Sequence, residues 1–385
     1  MIFLKKQKLS FKTLVEQHLE ILKGLQYDSG LFAASKADSS TGYGKPWLRD
    51  NFYECLAFMV AGDFETVRKT YKALLAIFLK HEYKIDHAIK KKPEHKHQYI
   101  HARFHPHTFD EYWEDWGNKQ HDAVGAILFG IALLEGKYKV KILETEGEKR
   151  VVKKLVDYLG SIMYWCDPDS GMWEENEEIH ASSVGACVAG LSAIKKYTGI
   201  PVPDHYIAAG EKTLAGLLPR ESKKKFVDIA LLSLIYPYDI VAPAQRDEIL
   251  TNVEYHLEKK KGIIRYKGDH YYNKNPDGHS EEAEWTFGFS WLSIIYELMG
   301  KKAKAKEYLK KAMRTINENG EIPELYFSNS DKFVNSPLGW SESMFVIALH
   351  NFNEKHIPGD VSGAKKQNVS AKDRGSSLKT PMKKK

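Results

Sequence analysis

Apolar residues recur at three- and four-residue steps along most of this chain, the spacing that gathers them on one face of an α-helix. Twelve segments carry the pattern. They are Phe11–Leu25, Trp47–Met59, Phe64–Leu79, His121–Leu134, Arg150–Trp165, His180–Tyr197, Tyr206–Leu218, Lys225–Ile235, Gln245–Leu257, Glu284–Met299, Lys302–Ile316 and Trp340–Phe352. Alternation with a period of two is weak, and only Tyr138–Leu143 and Gly262–Tyr266 read as short extended pieces. Helices without strong strands between them exclude a doubly wound sheet or a sandwich. A bundle, an open solenoid or a closed ring of helical hairpins remain.

The loops choose among these. Clusters of polar and aromatic residues follow roughly every second helix: Tyr43–Asp50, His101–Asp122, Asp169–Glu178, Tyr266–Trp285 and Tyr326–Trp340. One such loop per hairpin is what a closed ring of six pairs produces, with the loops on one face. The chain lacks the fixed-period repeat of a solenoid. The expected fold is therefore all-α, an (α/α)6 barrel of twelve helices. After Phe352 the periodicity stops and Gly, Ser, Lys and Asn dominate. This divides the chain into a barrel over residues 1–358 and a flexible, basic tail over 359–385.

Composition narrows the class. Of 385 residues, 43% are hydrophobic and 28% charged, values ordinary for a globular protein, and the 12% aromatic share is high. The longest apolar runs, such as Ala126–Leu134, are too short to span a bilayer. The net charge is +6, and residues 359–385 hold eight Lys or Arg against two Asp, so the body is neutral. A neutral body argues against a nucleic-acid partner. Cys55, Cys166 and Cys187 fit no zinc spacing, and the N-terminal residues lack the apolar core of a signal peptide. The expected location is cytoplasmic, without membrane attachment.

Candidate chemistry sits in the loops. Trp47-Leu48-Arg49-Asp50 sets an indole beside an Arg–Asp pair. That combination suits sugar hydroxyls and the apolar face of a sugar ring, and equally suits a capped helix start. Trp113-Glu114-Asp115-Trp116, continuing to Gln120 and Asp122, is denser in such groups. Trp173-Glu174-Glu175 lies among four acids, so mutual repulsion can raise a pKa there, and a carboxyl group against an indole suits a general acid. Arg265-Tyr266, Asp269, Tyr271 and Tyr272 form a fourth cluster. Pro323-Glu324, with Trp340 beyond it, forms a fifth. Glu174 and Glu324, distant in sequence and each beside aromatics, make the carboxylate pair that glycoside hydrolysis needs. His95-x-His97 and His105-x-His107 have metal-ligand spacing, but Lys90, Lys91, Lys92 and Lys96 oppose a cation there. His101-Ala102-Arg103-Phe104 reads instead as pocket lining. Phosphate loops, dinucleotide-binding glycines and a nucleophile elbow are absent from the sequence.

Taken in order, these segments resemble glycoside hydrolase family 15, the family of glucoamylases, glucodextranases and some trehalases. It also includes domains of phosphorylase kinase regulatory subunits. The resemblance runs from about Ser29 to Leu349. Trp47-Leu-Arg49-Asp50, Trp116-Gly117-x-x-Gln120-x-Asp122, Trp173-Glu174-Glu175, Arg265-Tyr266-x-x-Asp269 and Pro323-Glu324 with Trp340 fall in family order. The Pro-Glu-Leu-Tyr wording and His180-Ala-Ser-Ser-Val-Gly are similar to the phosphorylase kinase branch, as is Leu325 where glucoamylases often carry glutamine. The resemblance implies an inverting hydrolase of α-glucosidic bonds with Glu174 as general acid and Glu324 as general base, ~6.5–9.5 Å apart. It implies substrate binding by Trp47, Arg49, Asp50, Trp116, Gln120, Asp122, Trp173, Glu175, Arg265, Tyr266 and Trp340. It implies an α-glucan or oligosaccharide substrate, and neither a metal nor an organic cofactor. A non-catalytic glucan-binding domain on the same fold is the alternative, as is specificity for trehalose or another linkage.

Overall fold

A computed structural model describes residues 10–36, 41–114, 116–274 and 281–353. The expected tail, 359–385, lies outside the described residues. The helices are α1 (Phe11–Lys23), α2 (Leu48–Ala61), α3 (Phe64–Lys80), α4 (Glu82–Lys90), α5 (His121–Leu133) and α6 (Glu146–Ile162). They continue as α7 (Ala181–Tyr197), α8 (Asp204–Leu217), α9 (Pro243–Leu257), α10 (Phe287–Leu298), α11 (Lys302–Met313) and α12 (Gly339–Asn353). None of the described helices is long and apolar enough to cross a membrane.

Burial separates two layers. Every residue of α2 from Leu48 to Met59 is buried, as is every residue of α5 from His121 to Ala132 and of α7 from Ala181 to Leu191. Helices buried all round belong to the inside of a fold. By contrast α3 and α6 bury one face and leave Lys, Arg and Glu on the other. Around the inner ring α2 packs on α5, α5 on α7, α10 on α12, and α12 closes back on α2. Outside it, α1 packs on α12, α3 on α2, α6 on α3, α4 and α5, α8 on α7, and α11 on α10. This is the (α/α)6 barrel.

One inner position is not an α-helix. Ile229–Leu234, inside the expected Lys225–Ile235 helix, is a 3₁₀ segment bridging α7 and α10 and backed by α9. The cause is local. Ile229 donates its N–H to the carbonyl of Arg265 (2.9 Å), and the Asp228 side chain accepts from Ala230 N–H (2.8 Å). The segment's start is thus tied to a neighbouring chain, and Pro237 stands too close behind for an α-helix to propagate. Helix α4 was not expected, because its nine residues offer only Ile85 and Ala88 to the core besides the stem of Lys84. Residues 138–143 do not form a strand. A π-turn at Leu134–Tyr138 leads into a segment whose Ile142 and Leu143 N–H groups donate to the Glu135 carboxylate (2.5 and 2.7 Å).

A small antiparallel sheet interrupts the helical pattern. β1 (Glu284–Trp285) pairs with β2 (Leu325–Tyr326), which pairs with β3 (Phe333–Val334). Ile263 adds a bridge to Trp285, so part of Gly262–Tyr266 is extended as expected. The sheet sets Glu324, just before β2, beside Asn335, just after β3: Glu324 N–H donates to the Asn335 carbonyl at 3.0 Å.

Candidate active site

Five inner helices begin directly after the aromatic loops, so the loop residues converge at the N-terminal end of the inner ring. There they enclose a cavity of about 310 Å³. Trp47, Arg49 and Asp50 reach it from the start of α2, Trp116 from the segment before α5, and Trp173 and Glu174 from the turn before α7. Arg265 and Trp285 reach it from before α10, and Glu324 and Trp340 from before and within α12.

Glu174 sits in a left-handed backbone conformation (φ 63°), a strained position for a residue with a side chain. Gly117 packs against its carbonyl so closely that a β-carbon there would lie 2.5 Å from the oxygen. The Glu174 carboxyl group faces the Arg49 guanidinium at 3.3 Å. Burial nevertheless outweighs Arg49 and, helped by the charge of Asp50, pushes Glu174 up to about 7. Asp50 is itself raised to about 6 by burial, against the pull of Arg49.

Glu324 is 1% exposed. Its two oxygens accept from Tyr43 Oη (2.8 Å) and Asn335 Nδ2 (2.5 Å). Burial pushes it up to about 7, opposed by those two donors and by Arg265. The two carboxyls therefore titrate near neutrality in different settings. Glu324 has a hydrogen-bond donor on each oxygen, which favours its anion. Glu174 faces Arg49 at the longer distance of 3.3 Å, and the Trp47 indole and the Arg103 charge add smaller pulls toward its anion.

The walls are rings and guanidinium groups. Trp340 stacks on Phe287 (centroids 4.9 Å) and Tyr53 (4.4 Å), and Trp173 packs against Trp285 (5.6 Å) and Trp340 (6.2 Å). The Trp173 indole N–H donates to Asp228 at 2.8 Å, which fixes its plane. Arg265 lies over Tyr271 and Trp285, each 4.9 Å from the guanidinium carbon. The indole nitrogens of Trp285 and Trp340 are buried without a protein acceptor.

Four expected contact residues do not line the cavity. Gln120 and Asp122 stand behind Arg49 and accept from its Nη1 at 3.0 and 2.8 Å. Glu175 stands behind Arg265, accepting from it at 2.9 Å, from Tyr266 Oη at 2.8 and 2.7 Å, and from Lys225 at 2.8 Å. These residues orient the two arginines. Burial acts to raise Glu175, but Arg265 and Lys225 outweigh it and hold the carboxyl below its usual range. The remaining expected residues are brought together.

The cavity also contains residues that sequence reading did not assign to it. Tyr43 bonds both Glu324 and Tyr271 Oη (2.9 Å). Met172, Leu338, Ala34 and Thr41 complete the lining. Arg103, read as pocket lining, is there and lies over Trp116 (4.3 Å) and Trp47 (5.0 Å). Among the histidines, His95 and His97 stack on each other, and the described residues hold no group of three or more His, Cys, Asp or Glu placed to grip a metal ion.

Comparison with known proteins places this geometry. A probable phosphorylase b kinase regulatory subunit alpha from Drosophila melanogaster is 26% identical over 86% of this chain, and the aligned part is 31% of that protein. An uncharacterised glycosyl hydrolase from Methanocaldococcus jannaschii is 25% identical over 62% of this chain and 43% of its own length. The chain thus spans less than half the length of the curated relatives it matches. A wild-type glycosidase structure superposes with a TM-score of 0.76 at 19% identity, covering 89% of this chain and 97% of that one. Glucoamylase from Saccharomycopsis fibuligera superposes with a TM-score of 0.66 at 14% identity, over 90% and 96%. These structures share the fold, and the family model for glycosyl hydrolases family 15 matches residues 11–333, most of the chain. The chain belongs to glycosyl hydrolases family 15.

Proposed function

We propose that this chain is an inverting, exo-acting hydrolase of α-glucosidic bonds, of glucoamylase type, that releases glucose from the non-reducing ends of α-glucans or oligosaccharides. The observation that carries this reading is the pairing of Glu174 and Glu324 on one cavity walled by arginines and indoles. Glu174 gives its proton to the glycosidic oxygen as the bond to C1 breaks. Glu324 takes a proton from water as that water bonds C1 from the opposite face, so the sugar leaves as the β-anomer. Arg49, Asp50 and Arg265 hold hydroxyls of the terminal ring, while Trp116, Trp173 and Trp340 cover its apolar faces. Each step uses protein groups and water alone. The α-glucan is the one partner the reading requires.

The test is glucose release from maltotriose, followed by NMR, with Glu324→Ala alongside. β-Glucose from the parent and none from the variant supports the reading; α-glucose as first product overturns it. The similarity to phosphorylase kinase regulatory subunits favours a second reading, a glucan-binding barrel without turnover. Binding of maltotriose without release would select it. Release from trehalose or isomaltose alone would move the specificity within the family.

The environment of Glu324 gives a further expectation. A base must be ionised, and Tyr43 helps keep it so. Tyr43→Phe removes one donor, so the Glu324 pKa rises and the acid limb of kcat/KM moves to higher pH. The alkaline limb, set by loss of the Glu174 proton, moves less. A profile between pH 5 and 9 checks this, and an acid limb that stays in place would separate Tyr43 from the titration of Glu324.

A further inference from the structure

Glu54 lies in the middle of α2 and is 0% exposed. Among the described residues, neither of its carboxyl oxygens has a hydrogen-bond partner. The helices packed on α2 supply no counterion. On α5, Asp122 is held by Arg49 and His121 by Asp167, and Glu342 of α12 is held by His18 of α1. Of the buried residues of α3, only the Tyr71 phenol titrates. On α2 itself, Asp50 stands one turn earlier and adds a like charge, and the neighbouring Cys55 is a buried free thiol. A carboxylate with neither donor nor counterion costs more in such a place than keeping the proton. Burial, helped by Asp50, accordingly holds Glu54 well above the usual carboxylate range.

The carboxyl end of Glu54 rests on the first residue of α12. A β-carbon added to Gly339 would overlap Oε1 and lie 3.0 Å from Cδ. Gly339 is helical, so space and not backbone conformation calls for glycine there. Its N–H donates instead to the Ala34 carbonyl at 2.8 Å. Tyr53, next to Glu54, stacks on Trp340 at 4.4 Å. Two consecutive residues of α2 thus seat the first turn of α12, and that turn carries Trp340 into the cavity. We infer that Glu54 is a positioning residue: an uncharged carboxylic acid wedged between α2 and α12, whose fit to Gly339 sets where Trp340 stands in the cavity. The inference rests on the sugar-binding role given above to Trp340, and it adds a residue outside the lining that sets the lining's geometry.

Two measurements test it. Urea titrations at pH 5 and pH 8 compare the parent with Glu54→Gln. In the unfolded chain Glu54 ionises above about pH 4.5, while in the folded chain it keeps its proton. The parent's folding equilibrium should therefore fall, relative to the variant's, by roughly 10²–10³-fold between the two pH values. A difference that does not change with pH overturns the uncharged wedge. The second measurement is calorimetric affinity for maltotriose, set beside unfolding, for Glu54→Ala, Gly339→Ala and the double variant. Glu54→Gln should bind as the parent does. Each alanine variant should lose roughly five- to tenfold in affinity. The double variant should lose less than the product of the two, because the added methyl group fills space that the shorter side chain leaves. Coupling in unfolding with none in affinity would make the fit structural only and overturn the positioning role. Independent effects in both would overturn the fit itself. A parent that does not bind maltotriose overturns the sugar-binding reading and the role of Trp340 in it, and the urea comparison then still decides the state of Glu54.

Discussion

Glu174→Gln is expected to lower kcat on maltotriose by roughly 10²–10⁴-fold, the usual contribution of a positioned acid. Affinity for the sugar should stay close to that of the parent. Glutamine has the same shape, and its amide oxygen still accepts from Arg49, which faces Glu174 at 3.3 Å. It has no proton to give to the leaving oxygen. The backbone turn at Glu174, with its positive φ and the close approach of Gly117, is unaltered by the change. Stopped-assay kinetics and calorimetry on the same preparation separate the two effects. A variant that turns over normally would remove Glu174 from the chemistry. Substrates with activated leaving groups need less protonation, so they should lose less, which a structural defect would not produce.

Arg265→Ala is expected to destabilise the fold by about 3–5 kcal/mol, the cost of stranding a buried charge. Arg265 is 3% exposed and forks onto Asp269 with two contacts of 2.6 Å, and Asp269 is buried as well. Without the guanidinium group, Asp269 keeps one donor, the backbone N–H of Tyr271 at 2.9 Å. Asn at 269 can still accept that bond while carrying no charge. The double variant Arg265→Ala/Asp269→Asn should therefore recover about 1–3 kcal/mol of the loss. Denaturant titration of the three proteins checks this. A single variant within about 0.5 kcal/mol of the parent would show that the pair is dispensable for folding.

How much of this could be read from the sequence depended on contiguity. Trp47, Arg49 and Asp50 lie within four residues, and so do Trp173, Glu174 and Glu175, so their pattern was visible before any contact was known. The closed ring followed from spacing, because inner and outer helices both carry apolar residues at helical steps. Tyr43 was not legible as a partner of Glu324, since 281 residues separate them. Asn335 reaches Glu324 only because the small sheet folds β2 against β3. Depth was also hidden. Gln120, Asp122, Glu175 and Tyr266 are the residue types that bind hydroxyls, and the same types hold arginines from behind. The 3₁₀ segment was missed because its apolar run, Ile229–Leu234, gives no period that distinguishes it from a buried α-helix.

The wall of the cavity has an optical consequence. Trp47, Trp116, Trp173, Trp285 and Trp340, five of the eight indoles, line one chamber. Ultraviolet emission from the whole chain is therefore weighted toward the place where a sugar would sit. Neighbouring indoles whose centroids lie 5.6 to 6.2 Å apart exchange excitation before they emit. Quenching or shifting any one of them changes the light from its neighbours. An unlabelled chain should then report occupancy of the chamber by the colour and polarisation of its own fluorescence, as a group rather than as single residues.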